Sequence, residues 1–334
     1  MSTLRDTLAA EHRTLTEGCG LVDRVGRGRL ALTGPDAKTF LQGQITNDIE
    51  ALEPGRGCYA ALLTHKGKML GDLRVLDVGD ELLLGCERAA LQELFNMIRR
   101  YKLGSDVELH KRTIEMGELS LIGPDARRIL AAAVSGAAPG SYEYDESGHP
   151  TSPGPDEHDN ARAKIGDHPV VLVTTDVGVD VFCEAERTEG VRGGLLAAGA
   201  VEVGEAAAEV LRVERGRPRY GVELDESVIP QEAGLNERAV SFTKGCYVGQ
   251  ETVARLFYRG KPNRHLRGLR LSAPVEPGTP LRLGEKEVGR VTSTAVSPAH
   301  GPIALALVRR EASPGDTLAA GDADITAEVA KLPF

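Results

Sequence analysis

Leu32-Thr33-Gly34-Pro35-Asp36-Ala37 and Leu121-Ile122-Gly123-Pro124-Asp125-Ala126 are two renderings of one passage. In each, a short apolar run stops at Gly, and Pro-Asp-Ala opens a helical stretch, Lys38–Leu41 in the first and Arg127–Leu130 in the second. Pro is tolerated in a first helical turn because its missing N–H would be unpaired there, and Asp at that end suits the helix dipole. A second pair of stations follows the first. Leu82–Arg88 leads into the helical run Ala89–Tyr101, and Val179–Glu184 leads into Arg187–Gly199. Two matched strand-to-helix stations per half predict a duplicated α+β fold, with helices on antiparallel sheets in ferredoxin-like-type units. Two such units side by side leave a cleft or central hole between them.

Working outward, residues 1–115 form the first unit, and 116–262 the second. Residues 133–169, rich in Gly, Pro, Ser, Asp and His, read as a mobile loop with no chemistry assigned. After Pro262, short alternating runs at His265–Leu271, Pro280–Leu283, Val288–Val296, Ile303–Val308 and Ile325–Val329 are separated by Gly, Pro and Asp. This texture predicts a small C-terminal β-barrel over 263–334. A chain of 334 residues can bury enough surface to fold without disulfides or a structural metal. No apolar run approaches a membrane span and the N-terminal residues lack a signal-peptide core, so the expected compartment is the cytoplasm.

The net charge of −9 disfavours bulk nucleic-acid binding. One stretch inverts it: between Lys244 and Arg270 stand seven Lys or Arg against one acid, Glu251. Such a run is either a solvated face or an attractor for an anionic ligand or acidic partner. It lacks a clustered aromatic platform, so direct nucleic-acid binding is not expected. The five cysteines are widely spaced, no CxxC or HExxH occurs, and no metal site is expected.

The same stretch opens on Lys244-Gly245-Cys246-Tyr247-Val248-Gly249-Gln250-Glu251. Gly245 and Gly249 permit backbone angles that other residues resist, so main-chain N–H groups can turn to a ligand. A thiol near a Lys and a helix N-terminus has its thiolate favoured. The alternative is a tight turn with a packed Cys, but Lys, Cys, Gln, Glu and Arg within twelve residues, beside the basic stretch, favour a functional segment. Arg255 falls one turn beyond Glu251, on the same helix face.

This octapeptide, followed by an Arg-rich helix, resembles the signature of YgfZ-type folate-binding proteins, relatives of the glycine-cleavage T-protein (aminomethyltransferase) and of mitochondrial iron–sulfur-assembly homologues. The resemblance covers nearly the whole chain. Phe40–Asp48 (FLQGQITND), Gly57–Leu63 with Lys66-Gly67-Lys68, Arg212–Glu223, Pro230-Gln231-Glu232, Val288–Ser293 and Ile303–Ala306 match further elements. It implies a ring-like body whose central hole binds tetrahydrofolate, with the Cys-bearing loop at its mouth. It also implies a role in assembly or repair of iron–sulfur enzymes, indirectly affecting tRNA thiomodification, with client or assembly proteins as partners. Carried over residue by residue, the catalytic pair is Lys244 and Cys246, and the ligand set is Gly245, Gly249, Gln250, Glu251, Arg255, Asn47, Asp72 and Asp176.

The alternative is a folate-dependent aminomethyl- or methyltransferase of the T-protein type. T-proteins carry Asp-Asp-Leu where this chain has Gly71-Asp72-Leu73, and Gly-Glu-Asp-Gly where it has Thr175-Asp176-Val177-Gly178. One carboxylate of the first pair survives, and Asp replaces Glu in the second. These departures weaken the case for transfer while keeping pterin binding, and the residues alone assign no reaction.

Overall fold

The computed structural model describes residues 2–134, 152–321 and 324–334. The first half runs α1 (Ser2–Glu17), β1 (Gly20–Asp23), β2 (Gly28–Thr33), α2 (Ala37–Gln42), β3 (Gly57–Leu63), β4 (Met69–Asp77), β5 (Leu82–Cys86), α3 (Leu91–Tyr101) and β6 (Glu108–Lys111). The second runs β7 (Met116–Ile122), α4 (Ala126–Ala133), β8 (Asn160–Ile165), β9 (His168–Thr175), β10 (Gly178–Glu184), α5 (Thr188–Ala197), β11 (Val201–Glu202) and α6 (Glu205–Glu214). Then come α7 (Asn236–Ala239) and α8 (Gln250–Arg259), followed by β12 (Arg264–Leu271), β13 (Pro280–Leu283), β14 (Lys286–Ser297), β15 (Gly301–Arg309), β16 (Thr317–Ala320) and β17 (Thr326–Ala330).

Two sheets form the body, ordered β3-β4-β5-β2-β6 and β11-β1-β7-β10-β9-β8. The duplicated stations fall at equivalent places: β2 feeds α2 and β7 feeds α4, while β5 feeds α3 and β10 feeds α5. Gly34 and Gly123, the glycines of the repeat, have φ of 103° and 128°. A β-carbon at either would stand 2.3 Å from a main-chain oxygen, of Asp106 and Gly18 respectively. Only glycine fits both the angle and the approach. The chain also crosses between halves: β1, from the span expected for the first unit, pairs with β7 and β11 in the second sheet.

Strand alternation sets the two faces of each sheet. Leu73 and Val75 of β4 pack with Phe40, Leu94 and Ile98 under α2 and α3. Leu119, Leu121, Val179 and Val181 pack with Ile129 and Leu195 under α4 and α5. The intervening residues face the other sheet. Leu76 and Leu83 meet Val173 and Phe182 across the gap. Beside them Glu118 of β7, 1% exposed, takes Arg29 at 3.0 Å and Arg74 at 3.0 Å. The two halves are thus joined by a small apolar cluster and a buried ionic knot.

The third part is a closed barrel ordered β12-β15-β14-β13-β16-β17, as the C-terminal pattern predicts. It contains one strand, β16, that the pattern does not reveal; its four residues Thr-Leu-Ala-Ala carry only weak alternation. The expectation of a loop over 133–169 needs correcting. Residues 135–151 lie outside the described residues, but Asn160–Ile165 form edge strand β8, and β9 begins at His168. The buried residues Ala161 and Ile165 supply an inward stripe too sparse to stand out from a polar segment. Among the described residues no helix is long and apolar enough to cross a membrane.

Candidate functional site

A cavity of about 220 Å³ opens between the two sheets. Its walls include Tyr59, Asp72 and Arg74 from β3 and β4, and Ser120 and Asp180 from β7 and β10. His158, Asp176, the stretch after α6 and Arg238 complete it. The alternation that sends Leu73 to the helices sends Asp72 and Arg74 inward.

Asp72 is 9% exposed and receives the Tyr59 hydroxyl at 2.6 Å on Oδ2. Its Oδ1 is buried and has no hydrogen-bond partner among the described residues. Burial pushes the Asp72 carboxyl up to about 6, against the Tyr59 hydrogen bond that holds it down. Burial also raises the Tyr59 phenol well above its ordinary value. The Arg238 guanidinium lies 5.3 Å over the Tyr59 ring and pairs with Glu157. Asn47 braces this wall from behind: its Nδ2 donates to the Tyr59 carbonyl at 2.9 Å and to the Arg238 carbonyl at 3.4 Å.

The cavity is rich in guanidinium groups, most of them paired. Arg74 reaches Asp180 at 2.5 Å, and Asp180 also receives the Ser120 hydroxyl at 2.5 Å. Arg217 pairs with Asp176, and Arg219 with Glu209 at 2.9 Å. Arg215, exposed at the rim, has no ion pair among the described residues. The site therefore offers an orphaned carboxylate oxygen, aromatic surface and a cationic rim. That donor set fits a flat polar ring carrying N–H groups and an anionic tail.

The KGCYVGQE segment stands apart from these walls. Lys244 is buried, and its ammonium donates to the carbonyls of Gln42, Ile45 and Asn47 at 2.6, 2.8 and 2.7 Å. An ammonium has three donors, and all three are taken. The expectation that this charge serves the Cys246 thiol is thus replaced: it ties the loop to the turn after α2. Desolvation lowers its pKa to about 8. Tyr247 is buried in a cluster with Ala61, Leu63 and Met69, its ring 5.2 Å below the Lys244 ammonium. The Val248 N–H donates to the Gly43 carbonyl at 3.3 Å.

Gly249 has φ of 87°, and a β-carbon there would stand 2.6 Å from the Thr64 carbonyl oxygen. Its freedom serves a close backbone crossing with the β3–β4 hairpin. Cys246 is exposed, whereas Cys19, Cys86 and Cys183 are buried and Cys58 is half-buried. Gln250 and Glu251 open α8, and Arg255 is exposed farther along it.

Of the expected ligand residues, Asp72 and Asp176 line the cavity and Asn47 supports its wall. Gly245, Cys246, Gly249, Gln250, Glu251 and Arg255 are not among its lining residues. Tyr59, Arg74, His158, Asp180 and Arg238 are lining residues that the sequence does not flag. Strand alternation around Asp72 and Asp180 contains a signal for Arg74, but nothing local distinguishes His158.

Comparison with known proteins supplies the family. Residues 2–244 match the model of the GCVT N-terminal domain, and residues 264–334 that of the glycine cleavage T-protein C-terminal barrel domain. The chain is 31% identical over 332 residues to an aminomethyltransferase of Rubrobacter xylanophilus, covering 98% of this chain and 86% of that one. It is 31% identical over 320 residues to a putative chloroplastic transferase of Arabidopsis thaliana, covering 95% and 71%. The solved structure of the glycine cleavage system aminomethyltransferase T from Bartonella henselae shares the fold, with a TM-score of 0.83 at 22% identity over 98% of this chain and 89% of that one. With body, barrel and cavity in place, the chain belongs to the glycine cleavage T-protein family of aminomethyltransferase-like, folate-binding proteins.

Proposed function

We propose that this chain is a tetrahydrofolate-binding protein of the YgfZ type, supporting assembly or repair of iron–sulfur enzymes and, through them, tRNA thiomodification. The observation that carries the binding half is Asp72: a carboxylate oxygen buried in the inter-sheet cavity with no protein partner among the described residues. A buried acceptor in that state is satisfied by a ligand or by water. The cavity volume of about 220 Å³ lies below the roughly 300–1,000 Å³ of pockets enclosing a whole drug-sized ligand. It suits the bicyclic ring, with the glutamate tail extending past Arg215 and Arg217. Asp72 would accept from a ring N–H, and Tyr59 would hold the carboxylate in place. Bound tetrahydrofolate supplies a carrier for one-carbon units.

The second half rests on Cys246. Its exposure suits a thiol that meets another macromolecule. The Lys244 ties and the Gly249 crossing hold its loop in place. A single thiol cannot hold a cluster alone, so any cluster contact needs thiols from a client or assembly protein.

The test is calorimetric titration of wild type and Cys246→Ala with tetrahydrofolate, paired with rescue of an iron–sulfur enzyme in cells lacking the protein. Both proteins are expected to bind, gaining about 2.7 kcal/mol of stability at 100 Kd. Only wild type is expected to rescue. No binding by wild type, or full rescue by Cys246→Ala, would overturn the corresponding half. Turnover of an aminomethyl donor with tetrahydrofolate would favour the transferase reading, which the similarity to the Rubrobacter aminomethyltransferase keeps in view.

A further inference from the structure

His158 combines a strained backbone with an unsatisfied side chain. Its φ of 75° is the one positive value outside glycine among the described residues. Such conformations are held only where the surroundings fix them, and they cluster at ligand sites. Here the surroundings are well defined. The His158 N–H donates to the Thr174 carbonyl at 2.8 Å, and the Thr174 N–H donates to the Asp159 carbonyl at 2.8 Å. Asp159, buried beside it, takes Arg56 at 2.6 Å. His158 is 7% exposed and lines the same cavity as Asp72.

The neutral His158 ring can carry its proton on either nitrogen. A proton on Nε2 faces Oε1 of Glu157 at 3.7 Å, beyond hydrogen-bond distance, an oxygen that Arg238 also pairs. With the proton on Nε2, Nδ1 is an acceptor, and it has no hydrogen-bond partner among the described residues. Arg74, Arg238 and Arg217 act on the ring electrostatically, opposed by Asp180. With burial leading, they lower its pKa to about 3, so the imidazole stays neutral. Asp72 Oδ1 and His158 Nδ1 are thus two buried polar atoms of cavity-lining residues with no hydrogen-bond partner among the described residues.

We propose that His158 is a ligand-binding residue whose Nδ1 accepts an N–H from the bound heterocycle, and that with Asp72 it selects the reduced over the fully oxidised pterin ring. The inference rests on the tetrahydrofolate reading above. Reduction converts ring N5 and N8 from lone-pair acceptors into N–H donors. With N5 and N8 facing these groups, the oxidised ring would turn lone pairs toward them and leave them unpaired, a mismatch that discriminates steeply.

The experiment titrates the full chain anaerobically with tetrahydrofolate and, separately, with folic acid, by calorimetry. Wild type is expected to favour tetrahydrofolate by at least about 10-fold. His158→Ala is expected to weaken tetrahydrofolate about 10-fold or more while changing folic acid less, so the ratio collapses. His158→Asn tolerates a positive φ and keeps an acceptor, so it is expected to recover part of the ratio. In wild type labelled with ¹⁵N-histidine, the His158 Nδ1 resonance is expected to move with tetrahydrofolate, which keeps the inference testable if the variants misfold. An unchanged ratio in a folded His158→Ala, or an unmoved Nδ1 resonance in tetrahydrofolate-bound wild type, overturns this inference alone. Absence of tetrahydrofolate binding by wild type overturns both readings.

Discussion

At the scale of single residues, the folate contact proposed for Asp72 predicts binding that depends on pH. The Asp72 folded pKa of about 6 exceeds the ordinary value of 3.8, so the folded state holds a proton that the unfolded chain has released between those limits. Stability from this group is thus greatest below about pH 4 and falls as pH rises through about 6. Ligand binding runs the other way, because a ring N–H is better accepted by the ionised carboxylate. Tetrahydrofolate affinity is therefore expected to drop as pH is lowered from 7 to 5. Asp72→Asn, which cannot ionise, is expected to bind about 10-fold more weakly at pH 7 and to lose the Asp72 step in the pH profile. Titrations at several pH values check this, and an Asp72→Asn profile parallel to wild type would count against it. Asp72 was legible in the sequence because the resemblance points to it. His158 was not: its neighbours are polar loop residues, and only the fold brings it against Arg74 and Arg238.

At the scale of elements, the KGCYVGQE segment shows how a motif can be recognised while its physical work is misread. The residue types favour a reactive thiol beside a cation, and no local pattern reveals that Gln42, Ile45 and Asn47 present carbonyls to Lys244. That partnership spans about 200 positions of sequence and exists only once the turn after α2 packs on the loop. The repeat passages were legible because their glycines are required locally, at Gly34 and Gly123, by angle and by contact. Gly249 is another such constraint. Gly249→Ala places a methyl 2.6 Å from the Thr64 oxygen in a left-handed backbone. A loss of about 1–3 kcal/mol is expected, read as a lower chemical-denaturation midpoint. Cys246→Ala, at an exposed position, is expected to stay within about 0.5 kcal/mol of wild type. Equal midpoints for wild type and Gly249→Ala would show that the crossing relaxes freely.

At the scale of the whole molecule, the barrel and the body are joined through buried carboxylates. Glu223, 1% exposed, takes Arg212 at 3.0 Å on one oxygen, and Thr292 and Ser293 at 2.8 and 2.5 Å on the other. Arg212 belongs to α6 of the body and also lines the cavity, while Thr292 and Ser293 lie on β14 of the barrel. Glu214 repeats the theme, joining His12 of α1 to Ser297 of β14 at 2.9 and 2.5 Å. Val213, Leu266, Ile303 and Leu305 form an apolar cluster across the same junction. Removing one partner of a buried ion pair leaves the other charge uncompensated, a loss of about 3–5 kcal/mol. In Glu223→Ala, Arg212 keeps its pair with Glu209 at 2.7 Å and Thr292 keeps its bond to the Leu305 carbonyl at 2.9 Å, so the expected loss is smaller, about 1–3 kcal/mol. Scanning calorimetry of wild type is expected to show body and barrel melting in one transition, because neither can open the junction without exposing these groups. In Glu223→Ala the melting temperature is expected to fall by several degrees, with the barrel transition separating from that of the body. Because Arg212 lines the cavity, losing its Glu223 partner should also weaken tetrahydrofolate binding. A Glu223→Ala protein that melts as wild type does, with unchanged affinity, would mean that the apolar cluster alone holds barrel to body.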